Sequence, residues 1–457
     1  MGKSQHIQGL KGTKFSQQLR GVNLEQVLIV SIDAAKLHQK ALICNYFGDV
    51  IEKPFFFSVS QSGMKFLYDT IEKAIRDTGA VRLFLGIEAT GHYYEDIVRQ
   101  MAVHGYHVQI LNAYTTSEER ASALSWCKTD DLDLVAIAHA IRNNKATESR
   151  LTEGLQRQLR VLTRAKRSEI RKRSSLRMEI RTILDIVWRE YQGYAEHQNE
   201  RAKKIKVFSD LWGKASLFFM EHYPHPALVL QLGENGLRKL SIQHNLKLRT
   251  TAIRKLLHVA KESLASDAQT LRPELMVLRM KLQDLRAFDT KIITLEQEIE
   301  NLLLQTDGRL FLTVPGLGVS LAAELYAEIG NSLDYQHAGQ LIKKAGTNPI
   351  VKQSGGGAGS YRKISKQGNT HLRYVTYLAG RSLCLHNEDL KPFYERLKSR
   401  GKHERASFVA MGNKMLKIAF AMLRDKQPFH SSKASCRLIQ EVNKKLNFNC
   451  MVTTKAA

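Results

Sequence analysis

Cysteine is scarce in this chain of 457 residues. The five, Cys44, Cys127, Cys384, Cys436 and Cys450, are scattered and odd in number, with no paired metal spacing. A disulfide framework and a zinc knuckle are therefore excluded, and reduced thiols of a cytoplasmic protein are the expectation. Long apolar runs are also missing: no stretch suggests a bilayer span, and Met1-Gly2-Lys3-Ser4-Gln5 does not open a signal peptide, so no membrane partner is expected. Acidic residues are under-represented, with 44 Asp and Glu against 69 Lys and Arg, a formal net charge of +25. An excess of that size points to a polyanionic partner, nucleic acid ahead of a membrane surface. Internal repeats are absent.

What is present falls into segments. Residues 1–25 are polar and basic, the expected disordered tail. Val27-Leu28-Ile29-Val30-Ser31-Ile32-Asp33 reads as a buried strand. Lys40–Phe47 reads as a second strand, and Gly48-Asp49 turns the chain into a third ending near Phe57. A helix over 62–78, a strand over 81–88, a helix over 92–104, a strand over 107–111 and a helix over 130–144 follow. Three antiparallel strands and then alternating helices and strands is the order of a ribonuclease H-like mixed sheet, giving an α/β domain over 26–148.

From Leu151 the strands stop. Leu151, Leu155, Leu159 and Leu162 recur at helical spacing, and a second apolar stripe runs over 274–306. Together they predict a long helical, coiled-coil-type arm over 149–308. Its first helix carries Arg157, Arg160, Arg164, Lys166, Arg167, Arg171, Lys172 and Arg173, a candidate nucleic-acid face. A mainly helical domain over 309–425 and a basic tail over 426–457 complete the chain.

Four acids stand out in the first domain. Asp33 and Glu88 end strands, where carboxylates project from the sheet edge; Asp130 and Asp133 are three apart and share a helix face. Convergent carboxylates repel unless a cation lies between them, and oxygen donors favour Mg2+. Two such ions can activate the attacking oxygen and stabilise the leaving oxygen at a phosphodiester. Each acid also has an ordinary reading as a turn former or a first-turn helix acid. Asp131 is the acid set aside.

In the last domain, Val314-Pro315-Gly316-Leu317-Gly318 precedes a helix whose amides could hold a phosphate, with Gly316 and Gly318 closest; a plain interhelical turn is the other reading. Ser354 precedes three glycines that leave its hydroxyl unobstructed. Arg362, Lys363, Lys366 and Arg373 follow and suit phosphate contacts. No Gly-Lys-Ser/Thr closes this loop, so it is not a Walker phosphate loop.

Taken together, Ser31-Ile32-Asp33, Glu88-Ala89-Thr90-Gly91-His92-Tyr93, Lys128-Thr129-Asp130 with Asp133, Val314-Pro315-Gly316-Leu317-Gly318, Ala345-Gly346, Gln353-Ser354-Gly355, Ile364-Ser365-Lys366-Gln367-Gly368-Asn369 and Phe393-Tyr394 resemble the DEDD transposases of the insertion-sequence 110 family over nearly the whole chain. The resemblance implies a RuvC-like domain with Asp33, Glu88, Asp130 and Asp133 as a Mg2+-binding tetrad of two ions. It further implies a transposase domain with Ser354 as nucleophile, forming a covalent phosphoserine link. The implied partners are donor and target DNA, a bridge RNA that guides pairing, and further copies of the chain in a dimer or tetramer. A site-specific DNA invertase of the same family and a RuvC-like junction nuclease are the alternatives.

Overall fold

The structure, a computed structural model, describes residues 18–89, 91–122, 129–146, 151–195, 204–352 and 360–429. These fall into two compact units. One comprises residues 1–153 and 331–369, the other 154–330 and 370–457.

The first unit is built on a five-stranded mixed sheet in the order β3-β2-β1-β4-β5. Its strands are β1 (Val27–Asp33), β2 (Gln39–Asn45), β3 (Val50–Phe57), β4 (Arg82–Glu88) and β5 (Val108–Leu111). β1–β2 and β2–β3 pair antiparallel; β1–β4 and β4–β5 pair parallel. The apolar run of β1 marks a central strand covered on both faces. Leu28, Val30 and Ile32 face one layer with Leu67 and Ile71 of helix α1 (Gln61–Thr78) and Ile97 of α2 (Tyr94–Val103). Val27 and Ile29 face the opposite layer. β3 is one continuous strand through Pro54, tolerated because β3 is an edge strand and its register with β2 slips nearby.

The second layer is formed by α3 (Ala113–Ser122) and α4 (Asp130–Arg142). α4 puts Ile137 and Ile141 against Val27, Ile29 and Phe84. Gly86 in β4 makes room for this helix, since a Cβ there would collide with the Ile141 side chain. α3 has no apolar stripe, which is why the sequence pattern left it unassigned. The expected basic tail is anchored at its end: Leu19, Val22 and Leu24 pack on this layer and Leu24–Gln26 form a 3-10 turn. Residues 1–17 lie outside the described residues. Burial pushes the Cys44 thiol up to about 11, so it stays protonated at neutral pH.

The second unit is helical. α5 (Gly154–Val187) and α9 (Arg272–Leu304) run antiparallel, as the ion pairs Lys166–Glu296, Arg173–Asp289 and Glu179–Lys281 require. At 34 residues α5 is about 50 Å long. Between them come the two-residue strands β6 (Tyr194–Ala195) and β7 (Lys204–Ile205), then α6 (Lys214–His222), α7 (Pro226–Gln243) and α8 (Thr250–Lys261). Trp188, Phe219, Val229, Leu237, Ile253 and Leu256 share a core with Ile180 and Leu184 of α5 and Leu278 and Leu282 of α9.

After α9, a 3-10 segment (Asp307–Thr313) leads to α10 (Val319–Ile329). The chain then adds α11 (Ala338–Ala345), β8 (Pro349–Lys352) and β9 (Ser360–Ile364) to the first unit. It returns to the second with α12 (Thr370–His386), α13 (Lys391–Ser399) and α14 (Glu404–Asp425). Gly380 and Gly412 let α12 and α14 cross backbone to backbone; a Cβ on either would strike the partner's main chain. Against the sequence expectation, α14 has the length and apolar composition of a span. Its Met411, Met415, Leu416 and Ala419 are fully buried in the helical core.

Candidate active site

Asp33 and Glu88 sit at the carboxyl ends of adjacent parallel strands. Ile32 pairs with Ile87, so the two acids stand one step further along the same register. α4 packs against β1 and β4 with its first turn at this end of the sheet. Thr129 caps it, its hydroxyl accepting from the Leu132 amide at 3.3 Å. Asp130 and Asp131 are exposed in this turn, whereas Asp133 is buried, 8% exposed. Lys40, the cross-strand partner of Asp33, is ion-paired to Asp131 at 2.5 Å. That contact ties the amino end of α4 to the strand carrying Asp33, and it gives Asp131 a structural role.

α3 supplies a set of residues the sequence reading missed. Thr116 donates its hydroxyl to the Glu88 carboxylate, and Arg120 forms an ion pair with Asp133. Thr116 and Arg120 are one turn apart, about 6 Å along a helix. Glu88 and Asp133, 45 positions apart in sequence, are thereby held to one face of α3. Glu119, buried between Thr116 and Arg120, accepts from Asn143 Nδ2 at 3.1 Å and pairs with Lys145 at 2.6 Å, fastening α3 along α4. The available signal was the polar row Thr116-x-x-Glu119-Arg120 at i, i+3, i+4, just ahead of the Lys-Thr-Asp block.

The donor set of the tetrad is all oxygen, the chemistry of Mg2+ rather than of a soft metal. Among the described residues no three His, Cys, Asp or Glu side chains converge tightly enough to hold an ion in this arrangement. The four carboxylates fit the ion in the kind of donor they offer; a cation there would compete with Arg120 for Asp133.

The base of the Ser354 loop is also built. α11 ends at Gly346 in the left-handed region, φ 64°. Over it fold Ser365, Lys366 and Asn369, whose amides donate to Asn348 O (3.0 Å), Gly346 O (2.9 Å) and Lys344 O (2.7 Å). The Ser365 hydroxyl and Asn348 Oδ1 add a bond of 2.7 Å. The Ala-Gly and Ser-Lys-Gln-Gly-Asn motifs thus clamp one another beneath the β8–β9 pair. Ser354 lies outside the described residues, as do Thr90, Lys128 and the side chain of Arg362. Lys363 and Lys366 are exposed.

In the second unit the basic row of α5 divides. Arg164 grips the fully buried Glu328 with two bonds, 2.7 and 2.9 Å. Arg167, 9% exposed, bonds Glu324 at 2.9 Å and stacks on Tyr374 at 3.5 Å. Lys166, 5% exposed, reaches Ser320 at 2.8 Å and Glu296 at 2.7 Å. Arg160 Nε donates to Ala327 O at 3.3 Å, and Arg173 pairs with Asp289 at 2.7 Å. These side chains hold α5 to α9, α10 and α12. Burial pushes the Glu324 carboxyl up and Arg167 opposes it. The candidate nucleic-acid face narrows to Arg157, Arg171 and Lys172, which are exposed.

Gly316, at φ 96°, lies within about a methyl group of α12; the Ser382 hydroxyl donates to Gly316 O at 2.6 Å and Asn387 Nδ2 to Pro315 O at 3.0 Å. Gly318 is the exposed N-cap of α10 and has open space beside it. Arg373 is half-buried on α12.

Two family models match the chain. One, described as transposase of the DEDD IS110 type, matches residues 30–189, from β1 through the two acid-bearing strand ends and α4 into α5. The other, transposase of the IS116/IS110/IS902 family, matches residues 308–395. The chain belongs to the IS110 family of transposases. As a member it is a DNA transposase or recombinase. The IS116 insertion-element 44.8 kDa protein of Streptomyces clavuligerus is 23% identical over 404 residues, 88% of this chain and 95% of that protein. The IS900 insertion-element 42 kDa protein of Mycobacterium paratuberculosis is 27% identical over 150 residues, 32% of this chain and 37% of that protein. The pilin gene-inverting protein of Moraxella bovis is 26% identical over 152 residues, 32% of this chain and 47% of that protein. In this IS110-family chain, the acidic sheet end and the clamped β8–β9 base fall in separate family-model regions or beside them, 30–189 and 308–395.

Proposed function

We propose that this transposase cuts and rejoins DNA with a serine nucleophile, Ser354, working at a RuvC-like acidic centre made of Asp33, Glu88, Asp130 and Asp133. The observation that supports the reading is that Asp33 and Glu88 end adjacent parallel strands in register, while Glu88 and Asp133 are bound by Thr116 and Arg120 of one helix. Mg2+, two ions per site, would be held by the four carboxylates and would supply Lewis-acid stabilisation of charge at the phosphodiester. The Ser354 oxygen attacks phosphorus and gives up its hydroxyl proton to water, the P–O3′ bond breaks, and the departing 3′-oxygen takes up a proton from water. The new phosphoserine ester conserves the bond energy, so a second 3′-hydroxyl can displace the serine and rejoin the strands.

Donor and target DNA are the substrates in this reading. A bridge RNA pairs with them, and a dimer or tetramer joined through a coiled-coil arm, α5 with α9, assembles the complete sites in the cytoplasm. Ser354→Ala should abolish strand exchange and the covalent protein–DNA adduct while leaving DNA and RNA binding nearly intact. Strand exchange by that variant would remove the serine from the mechanism; cleavage with no adduct in the unaltered protein would favour a junction nuclease that uses water. RNA copurifying with the protein and complementary to both DNA sites is the expected sign of guidance.

A second reading, a site-specific invertase, is favoured by the similarity to the pilin gene-inverting protein. The two separate on a plasmid that carries one pair of sites in inverted order: an invertase flips the segment, and a transposase moves an element to a new target.

A further inference from the structure

Residues 190–307 lie between the two family-model regions, so neither model assigns a role to the helices α6 to α8. We propose that the α7–turn–α8 element is a second DNA-binding surface, one that grips the phosphate backbone of duplex DNA without reading its sequence.

The sequence of α8 separates two faces cleanly. Ile253, Leu256, Val259 and Ala260 are buried. Thr251, Arg254, Lys255, His258 and Lys261 are exposed and recur at i, i+3, i+4, i+7 and i+10, one side of a helix. No acid occurs in the helix; the first is Glu262, just past its end. The turn that leads in adds exposed Lys247 and Arg249, with Asn245 and Lys247 both in the left-handed region at φ 49° and 51°. Exposed Lys214 joins them, its Nζ donating to Asn245 O at 3.3 Å. Among the described residues, Lys247, Arg249, Lys255 and Lys261 have no carboxylate within ion-pair distance. Arg254 acts on Glu234, a carboxylate already held by Arg238 at 2.5 Å.

An ordinary solvated helix face in this protein looks different. The outer side of α9 mixes signs, with Glu274, Asp284, Asp289, Glu296, Glu298 and Glu300 among its bases, and two of those bases are paired, Lys281 with Glu179 and Arg286 with Glu221. A face of one sign with unspent charge costs self-repulsion in the free protein, and a polyanion relieves it. Duplex DNA is the polyanion this recombinase must hold. A single helix also fits a groove about 12 Å wide. The exposed row is mostly long cationic side chains, which suit phosphate oxygens along the backbone, so its contacts position the duplex.

The test is binding of the full-length protein to a random-sequence 30-base-pair duplex by fluorescence anisotropy across a KCl series. The variant is Lys247→Gln, Arg249→Gln, Lys255→Gln and Lys261→Gln together, all exposed positions, with circular dichroism and melting temperature as the check on folding. The slope of log affinity against log salt should become shallower by up to about 3.6, near 0.9 for each of the four lost phosphate contacts. Affinity at 0.15 M salt should fall about tenfold or more. A matched set on the first unit, Lys53→Gln, Lys65→Gln, Lys73→Gln and Arg76→Gln, removes equal charge from exposed positions and should leave the slope near that of the parent. Equal effects from the two sets would reduce the result to net charge and overturn the proposal. So would an unchanged duplex slope, or a loss confined to RNA of the same length.

Discussion

The acidic end of the β1–β4 sheet and the ion-pair ladder between α5 and α10 use the same residue types to opposite ends. Both set arginine against carboxylate: Arg120 on Asp133 in one, Arg164 on Glu328 in the other. In the ladder, Glu324 and Glu328 each meet an arginine from α5, Arg167 and Arg164, and the Arg164–Glu328 contact is bidentate. Charge there is used up in joining helices. At the sheet end the contacts are single and separate: Arg120 pairs with Asp133, Lys40 with Asp131, and the Thr116 hydroxyl donates to Glu88. A carboxylate held by one such contact keeps lone pairs for a further ligand, which is what the proposed cation would need. A basic or acidic residue is therefore read by the balance of its neighbourhood, and not by its own sign.

The sharpest break of that contrast is Asp33→Asn. An amide keeps the shape and the strand end but removes a charge the proposed ions need. Recombination should fall by about a thousandfold or more, the scale of several kcal/mol of lost charge stabilisation, while the melting temperature stays within a degree or two. A plasmid recombination assay alongside a thermal melt checks both; a large loss of stability with activity retained per folded molecule would move Asp33 into the structural class.

Arg164→Ala should do the reverse. It strands Glu328, which has no exposed surface, without its partner. Breaking a buried pair costs about 3–5 kcal/mol, reduced here to about 2–3 because the Arg164 side chain is 40% exposed. Denaturant unfolding should show that loss, and Glu328→Gln in the same background should return part of it by removing the charge that Arg164 had balanced. Recombination per folded molecule should change little.

The same balance explains what could be read in advance. The sheet was legible because its strands are short apolar runs, β1 above all, and because two acids end such runs. The long helices α5 and α9 were legible from leucine spacing. α3 was not, since it presents no apolar stripe; its Thr116, Glu119 and Arg120 face acids that fold onto it from far along the chain. The row from Arg157 to Arg173 read as one nucleic-acid face because helical spacing tells which residues share a side but not what lies opposite. Glu324 and Glu328, about 160 positions away, decide that. The buried Met-rich side of α14 was likewise hidden among scattered charges until packing sorted them.

The remaining α5 bases sharpen the comparison on its nucleic-acid side. Arg157, Arg171 and Lys172 are exposed, and Lys172 retains a contact to Glu169 at 2.7 Å with its side chain 58% exposed. Changing all three to Gln should lower duplex affinity about tenfold and make the salt slope shallower by about 2–3. The paired set Arg164, Lys166 and Arg167 should act on stability instead. Anisotropy and melting measured on both sets give a crossed pattern; a fall in salt slope from the paired set with stability intact would contradict their assignment to helix packing.

The smallest expected effect is also the most diagnostic of the acidic centre. Arg120 pairs with Asp133, so it would compete with the proposed cation for that carboxylate. Arg120→Gln keeps a donor near the carboxylate and removes the competing charge. The Mg2+ concentration for half-maximal cleavage should fall about threefold, since about 0.7 kcal/mol of competition corresponds to that ratio. Stability in EDTA should drop by about 1 kcal/mol as a buried carboxylate loses its ion pair, and added Mg2+ should restore more of it than in the parent protein. If half-saturation rises instead, Arg120 assists cation binding by ordering Asp133, and the contrast between a spent and an unspent cluster of charge loses its clearest case.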